Sequence, residues 1–226
     1  YRDIVETLVH GTRSLSEISA ALGKKRSGHM TAHLSDLVLG GFISRDVAFD
    51  PRTGADTRKE RYRLRDNYAR FYLRYIEPRR TRIEQGLVGN ESLAQLPGWE
   101  AITGLQLENL VLSNVQALAT HLRLGRTPIV AAAPFVQSPT KLKQGCQVDL
   151  MLLTKHAVYL VEVKRRRHID LSVIAEMKEK IRRLRPAPDR SVRTALVYHG
   201  GLDPRIEDEQ FFDFVVPFSE FLRDVG

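Results

Sequence analysis

Apolar and polar residues follow two different periods along this chain. In the first forty residues, apolar side chains such as Met30, Leu34 and Leu37 recur at helical spacing, and glycines separate the helical stretches. Ser14 and Glu17 have the spacing of a capping box, which predicts that a second helix begins there. The pattern predicts three short helices, the last two joined by a tight turn, as in a helix-turn-helix.

A period of two follows in residues 42–49 and 59–65, with the turn-rich loop DPRTGADTR between them. Two strands after three helices predict a winged helix. Strand alternation places four basic side chains on one face of the second strand: Lys59, Arg61, Arg63 and Arg65. The start of the third helix adds further candidates for contact with DNA: Lys24, Lys25, Arg26 and His29. Winged helices also serve as protein-docking modules, and basic strands are often solvated edges, so both alternatives stay open.

His29 and His33 have the i, i+4 spacing of a zinc-binding pair. The residues between them include no glutamate that could act as a base. The pair is therefore interpreted as contacting solvent or nucleic acid rather than metal.

The rest of the chain predicts an α/β domain. An aromatic helix begins near residue 66 and ends near Pro78, and residues 79–98 are interpreted as a connection. The elements expected after it are a helix at 101–123, strands at 127–136, 147–153 and 158–163, a helix at 170–185, a strand at 192–200, a short strand at 214–216 and a terminal helix at 219–224. The prediction is a two-domain α/β protein, with a winged helix in 1–86 and an αβββαβ domain in 87–226.

The second and third strands of this domain carry the candidate chemistry. The tightest turn between them has residues 155–156 at its tip, so that Thr154 pairs with Ala157. The same register then places Asp149 directly opposite Glu162 on one face of the hairpin. Two opposed carboxylates repel each other unless a cation or a proton lies between them.

Lys164 lies two residues beyond Glu162 and projects from the same face. Two carboxylates and an ammonium at adjacent strand ends can hold a magnesium ion and position a water for attack on a phosphate. The same three side chains are also compatible with an ordinary surface ion pair, which this spacing alone does not exclude.

The charge distribution favours a polyanionic partner. The net charge is +8, and residues 1–86 hold 17 Lys and Arg against 11 Asp and Glu, whereas residues 87–226 hold 18 against 16. Solubility is the alternative explanation for this excess.

The single cysteine, Cys146, excludes an internal disulfide and fits a reducing, cytoplasmic location. Because the sequence begins at Tyr1 and carries no signal peptide, it is expected to be part of a longer gene product.

The hairpin QGCQVDLMLLTKHAVYLVEVKRRR resembles the core of the PD-(D/E)XK restriction-endonuclease-like superfamily. Three stretches, YRLRDNYARFYLRYIEP, LQLENLVLSNV and GCQVDLMLL…VYLVEVK…VIAEMKEKIRRL, resemble the C-terminal region of the archaeal-type (DEXX-box) ATPases. The chain itself has no P-loop, so the resemblance implies an ATPase domain elsewhere in the full-length protein or in a partner chain.

The resemblance implies a nuclease site that uses Mg²⁺ or Mn²⁺. Asp149 and Glu162 would bind the metal together with Glu108 on the first core helix, and Lys164 would orient the water. Residues expected to contact nucleic acid are Gln147, Arg165, Arg166, Arg167 and Lys180. For Lys180, an i, i+4 pair with Glu176 is the favoured alternative. A non-cleaving regulatory module that binds DNA or a partner protein, and a transcription regulator, are the alternative functions.

Overall fold

The computed structural model describes residues 1–89, 92–139, 144–184 and 189–222. Contacts divide the chain into two compact units, one formed by Tyr1–Val47 and Lys59–Asn109, the other by Ala48–Arg58 and Leu110–Gly226. This division differs from the expected boundary between residues 86 and 87. The first helix of the predicted second domain belongs mostly to the first unit, and the tip of the predicted wing belongs to the second unit.

The first unit begins with three helices: α1 (Arg2–Thr7), α2 (Leu15–Ala21) and α3 (Gly28–Leu39). The predicted capping box is present at α2, where the Ser14 side chain accepts from the backbone N–H of Glu17 and the Glu17 side chain accepts from the backbone N–H of Ser14. Ser27 caps α3 by accepting a hydrogen bond from the backbone N–H of Met30 at 3.2 Å. Local capping therefore determines where these short helices begin.

The rest of this part of the chain is a two-stranded sheet followed by helices. Its elements are β1 (Ile43–Phe49), β2 (Asp56–Leu64), α4 (Asn67–Phe71) with a π-helical continuation (Tyr72–Ile76), α5 (Arg80–Glu84) and α6 (Trp99–Ser113). The apolar faces of α1, α2 and α3 meet Ile43 and Leu64 of the sheet in one core. Arg70 is also buried, 1% exposed, because its guanidinium donates to the backbone oxygens of Leu8, Val9 and Leu64.

The tip of the β1–β2 hairpin, residues 48–58, packs within the second unit. Phe49 joins the core of that unit. Gly54 has φ +78, and a Cβ added to it would lie 2.9 Å from Val130 and 3.0 Å from Leu153, so the close packing there requires glycine. Arg190 donates to the backbone oxygens of Pro51 and Arg52. The hairpin tip is therefore held by contacts within the protein.

The second unit is built on a five-stranded sheet. It contains α7 (Val115–His121), β3 (Ala131–Gln137), β4 (Cys146–Leu153), β5 (Ala157–Ile169), α8 (Ser172–Leu184), β6 (Ser191–Leu202), α9 (Arg205–Asp208) and β7 (Phe214–Pro217), with a final 3₁₀ turn (Phe218–Leu222). The strand order is β3-β4-β5-β6-β7. β3, β4 and β5 pair antiparallel, and β5, β6 and β7 pair parallel.

The mixed α/β class and the predicted order of the main helices and strands are confirmed, with three local differences. The helix expected at 101–123 is divided at Asn114, whose φ of −123° and ψ of 43° are not helical. β5 continues to Ile169, well beyond the predicted end at 163. The predicted terminal helix is a 3₁₀ turn at 218–222, and its last two residues lie outside the described part of the chain.

The helix α8 connects the parallel strands β5 and β6, as a crossover helix does. It buries Val173, Ile174 and Met177 in the core of the second unit. The residues on the other face of α8 are polar, and some of them belong to the candidate site.

Candidate functional site

The β4–β5 hairpin has the predicted register. Leu150 pairs with Val161, and the pairing continues residue by residue to Leu153 and Val158. The ladder ends at the pair Leu150 and Val161, and Asp149 and Glu162 are the next residues beyond it on the two strands.

The Asp149 side chain is held by a hydrogen bond from the backbone of the neighbouring strand β5. Its Oδ2 accepts a hydrogen bond from the N–H of Val163 at 2.8 Å. The carboxylate is half-buried, and this hydrogen bond holds it beside β5.

Glu162 is a buried acid held by two lysines. It is 3% exposed. Its Oε1 lies 2.8 Å from Nζ of Lys164, and its Oε2 lies 2.5 Å from Nζ of Lys180. An ionised carboxylate at this depth needs cationic or hydrogen-bonded partners, because burial removes the water that would otherwise solvate it.

Three charged residues lie on one face of α8, and one of them contacts Glu162. Glu176, Lys180 and Arg183 follow one another at intervals of four and three residues, so they share one face of the helix. Glu176 Oε2 accepts from Nζ of Lys164 at 2.8 Å, while Lys180 reaches Glu162. Glu176 and Lys180 were expected to pair with each other, but each pairs with a residue of β5 instead. The contacts run from Glu176 to Lys164, from Lys164 to Glu162 and from Glu162 to Lys180. We call these four residues the charge chain.

The charge chain shifts the pKa of two of its members. Burial by itself would lower the pKa of Lys164, but the carboxylates of Glu162 and Glu176 outweigh it and the pKa is raised. Burial by itself would raise the pKa of Glu176, but its hydrogen bond and charge interaction with Lys164 lower it. Both shifts favour the charged forms of Lys164 and Glu176 at neutral pH.

An open groove of about 470 Å³ lies beside the charge chain. Its lining comes from β3, from the start of β4 and from α8, and consists of Val136, Gln137, Gly145, Cys146, Gln147, Asp149, Lys180 and Arg183. Arg183 donates to the backbone oxygen of Gly145 at 2.8 Å and so connects α8 to the segment before β4. The predicted residues Gln147, Asp149 and Lys180 therefore line one groove.

Sequence reasoning missed two polar side chains of this groove, Gln137 and Arg183. The spacing of Arg183 from Lys180 was a usable signal, since residues three apart on a helix face the same way. Gln137 gave no such signal, because its place beside β4 depends on strand pairing across residues 138–145.

The donor atoms at this site fit a hard divalent cation in type. Asp149 and Glu162 offer carboxylate oxygens, which Mg²⁺ prefers, and Mg²⁺ usually completes its shell with water and phosphate oxygens. In the ranges that the structure describes, no group of three or more His, Cys, Asp or Glu side chains is arranged to hold a metal. A cation here would thus depend on two carboxylates, one of which already contacts Lys180.

The other residues predicted for this site lie in different surroundings. Glu108 is half-buried on α6 in the part assigned to the first unit, where its negative charge acts on the buried Arg70. Arg165 is half-buried, and Arg166 and Arg167 are exposed at a β-bulge where β5 passes β6. Their roles in metal and nucleic-acid binding stay predictions.

The basic residues predicted in the first unit differ in how far their side chains are exposed. The exposed ones are Lys24, Lys25, Arg26, His29, Lys59 and Arg65. Arg61 is half-buried and donates to Thr12 and to Glu17, 3.0 Å from the Glu17 carboxylate. Arg63 is only 8% exposed, because its guanidinium pairs with Asp46 and Asn109. The expected solvent-facing row is therefore interrupted at Arg63.

The rings of His29 and His33 contact each other in a tilted arrangement, with centroids 4.0 Å apart and an interplanar angle of 60°. The pKa of His33 is lowered, first by burial and then by the charge of His29. A lowered pKa favours the neutral ring at physiological pH.

No helix in the described ranges combines the length and the apolar composition that crossing a membrane requires.

Comparison with known proteins gives one sequence relative and two structures. No protein-family model matches the chain. An uncharacterized protein of Methanocaldococcus jannaschii, MJECL04, is 34% identical over 93 residues, which cover 41% of this chain and 20% of that protein. The matched region thus spans about a fifth of the relative's length.

The two solved structures are each about twice as long as this chain. One is protein VC1899 from Vibrio cholerae, with a TM-score of 0.40, 14% identity, and coverage of 97% of this chain and 48% of that chain. The other is Can2 from Sulfobacillus thermosulfidooxidans in complex with cyclic tetra-adenylate, with a TM-score of 0.37, 12% identity, and coverage of 98% and 49%. Membership in the archaeal-type ATPases stays a prediction.

Proposed function

We propose that this chain binds nucleic acid and hydrolyses phosphodiester bonds at Asp149, Glu162 and Lys164 with the help of Mg²⁺ or Mn²⁺. The observation that supports the proposal is the contact of the Lys164 ammonium with the Glu162 carboxylate at 2.8 Å, one residue beyond the end of the β4–β5 ladder, where Asp149 is the next residue on β4. Asp149 lines a groove together with the cationic side chains of Lys180 and Arg183, which can neutralise a phosphodiester.

The reaction is attack of water on phosphorus. The water oxygen bonds to phosphorus, the bond from phosphorus to one sugar oxygen breaks, and the products are a phosphate monoester and a hydroxyl. One water proton goes to the leaving oxygen by way of solvent, and the other goes to solvent. When bound, the divalent cation supplies charge neutralisation at the phosphate and makes a nearby water more acidic.

The protein's own residues position the reacting groups. Asp149 and Glu162 hold the cation, and the Val163 N–H keeps the Asp149 carboxylate in place. The Lys164 ammonium, charged at neutral pH, stabilises the negative charge that develops on the phosphate or orients the attacking water. Arg183 and Lys180 in the groove neutralise the nucleic-acid backbone.

A cleavage assay with charge-removing variants tests this function. Supercoiled plasmid and a single-stranded oligonucleotide are incubated with Mn²⁺ or Mg²⁺, with EDTA as the metal-free control. Asp149→Asn and Lys164→Met are expected to lower the cleavage rate at least about a hundredfold, because each removes a charge from the reacting site. Glu207→Gln removes an exposed acid on α9 and is expected to keep the wild-type rate. Equal cleavage by all four proteins would sink the proposal, since a contaminant would then be responsible.

We propose that the first unit adds to nucleic-acid binding, and in particular binds DNA, through Lys24, Lys25 and Arg26. All three are exposed and directly precede the N-cap of α3. Replacing them with glutamine is expected to flatten the slope of log affinity against log salt by up to about 2.7, at about 0.9 for each lost phosphate contact. Replacing Arg80 and Arg82 on α5 is the matched control, and an equal change in both variants would contradict a specific role for the three residues.

A second candidate function is binding of nucleic acid without cleavage. The observation that favours it is that both oxygens of Glu162 contact lysines, as in a site neutralised by the protein itself. Calorimetry separates the two candidates. DNA binding without Mn²⁺ uptake and without cleavage is the result expected for the non-cleaving module.

A further inference from the structure

We propose that Lys180 couples nucleic-acid binding to divalent-metal binding, because its ammonium competes with the metal for Glu162 and is drawn away by a phosphate in the groove. This inference rests on the proposed function. It assigns Lys180 a role beyond contact with the nucleic-acid backbone.

Lys180 contacts two environments at once. On one side its Nζ lies 2.5 Å from Oε2 of Glu162. On the other side its side chain, 20% exposed, lines the open groove next to Asp149. A lysine ends in a compact charge on a flexible stem, so a small rotation can exchange the carboxylate for an anion in the groove.

The two lysines of the charge chain are not equivalent. Lys164 lies between two carboxylates, Glu162 and Glu176, at 2.8 Å from each. Within the part of the chain that the structure describes, the ion pair of Lys180 is made with Glu162 alone. Lys180 is therefore the ammonium that leaves Glu162 more readily.

Because Lys180 and the metal compete for Glu162, binding of nucleic acid in the groove and binding of the metal strengthen each other. With the groove empty, Lys180 neutralises one oxygen of Glu162 and repels an incoming cation. A phosphate group in the groove offers the ammonium another anion, so that this oxygen becomes accessible to the metal. Because coupling between two ligands is reciprocal, the metal must raise affinity for the nucleic acid by the same factor.

Titration calorimetry of Mn²⁺ tests this coupling. The full chain is titrated alone and after saturation with a single-stranded 12-nucleotide phosphorothioate oligonucleotide, which resists cleavage. For the wild type, the oligonucleotide is expected to raise Mn²⁺ affinity about tenfold, within the range typical of coupled sites. Lys180→Met without oligonucleotide is expected to bind Mn²⁺ about tenfold more tightly than the wild type, with little further gain from the oligonucleotide.

Two further variants make the result specific. Lys178→Met removes an exposed ammonium from the same helix, one that lies over the Phe211 ring, and it is expected to behave as the wild type. Lys180→Gln keeps a polar side chain without the charge, so it is expected to follow Lys180→Met even if the methionine variant folds poorly.

The outcomes separate this inference from the proposed function. The inference is overturned if the wild type shows no coupling, or if both Lys180 variants keep the full coupling, while Asp149→Asn still abolishes cleavage. If neither the wild type nor the Lys180 variants bind Mn²⁺ with or without oligonucleotide, and no cleavage occurs, the proposed function and the inference both fail.

Discussion

Replacing Glu162 with glutamine is expected to destabilise the protein by about 3 kcal/mol, the lower end of the cost of breaking a buried ion pair. The substitution keeps the volume of the side chain and removes its charge. Two charge-assisted contacts are lost, with Lys164 at 2.8 Å and with Lys180 at 2.5 Å, and each is worth about 1.5–3 kcal/mol. The loss is limited because Lys164 keeps Glu176 and the partly exposed Lys180 can be hydrated.

Urea unfolding followed by far-ultraviolet circular dichroism measures this loss. With a slope of about 2 kcal/mol per molar urea, 3 kcal/mol lowers the midpoint by about 1.5 M. Glu207→Gln, which removes an exposed acid, is the matched control and is expected to stay within about 0.5 kcal/mol of the wild type. The dependence of the unfolding free energy on urea concentration must be the same in the wild type and the variant, so that a shift of the midpoint measures a change in stability.

The double variant Glu162→Gln with Lys180→Met gives the sharper test. Removing both partners of a buried pair costs less than removing one, because no uncompensated charge is left. The double variant is expected to be at least about 1 kcal/mol more stable than Glu162→Gln alone. A Glu162→Gln protein within about 1 kcal/mol of the wild type would refute this account of the site's energetics.

Three further predictions concern pH and two other structural positions. Glu176 has a lowered pKa because Lys164 outweighs the effect of burial, so the stability it contributes is fully present above its unfolded value near 4.5 and lost as pH falls through its folded pKa. The urea midpoint of the wild type should therefore fall more steeply on acidification than that of Glu176→Gln, and parallel curves would contradict this. Arg70→Met removes the guanidinium that donates to three backbone oxygens, two of which keep a second donor, and is expected to lower stability by about 1–3 kcal/mol in thermal unfolding, whereas no change would show that the remaining oxygen also finds another donor. Gly200→Ala, at φ +123, would place the new Cβ against the backbone oxygen of Arg166 on β5 and is expected to cost about 2–3 kcal/mol. Gly104→Ala in α6, with nothing within 4 Å, should instead be neutral or stabilise by up to about 1 kcal/mol, and similar effects of the two changes would be evidence against strain at residue 200.

The register of the β4–β5 hairpin, from Leu150 and Val161 to Leu153 and Val158, was predictable because it depends only on local geometry. A two-residue turn fixes which residues pair, and the period of two along a strand fixes which side chains share a face. The hydrogen bond from the N–H of Thr154 to the oxygen of Ala157, at 2.9 Å, is the expected first pair after the turn. No knowledge of distant contacts is needed for this inference.

The partner of Lys180 was not predictable in the same way. Helical spacing alone favours the local pair with Glu176, since residues four apart are neighbours on a helix. The observed partner, Glu162, is 18 residues away and becomes available only when α8 packs against β4 and β5. Lys164 then takes Glu176, and the local pair is replaced by two tertiary ones.

Alternation along β2 was likewise insufficient to predict exposure. Tyr62 and Leu64 are buried, 4% and 0% exposed, as their positions require. Arg63 points away from them yet is also buried, because Asp46 on β1 and Asn109 on α6 surround its guanidinium. A period-two pattern separates two faces of a strand, but tertiary contacts determine whether the second face reaches solvent.

Glu162 is an acid at a buried position of the sheet, where an apolar residue would be expected. Glu162 lies between Val161 and Val163 in a strand with neighbours on both sides, and its backbone pairs with Leu196 of β6. A buried ion pair contributes little net stability compared with apolar residues of similar volume, because desolvation of the charges offsets their attraction. Stability therefore does not account for an acid paired with two lysines at this position. The proposed cation-binding role would account for it, since such a role needs a carboxylate that is held by its neighbours and has a counter-ion, Lys180, that also lines a groove.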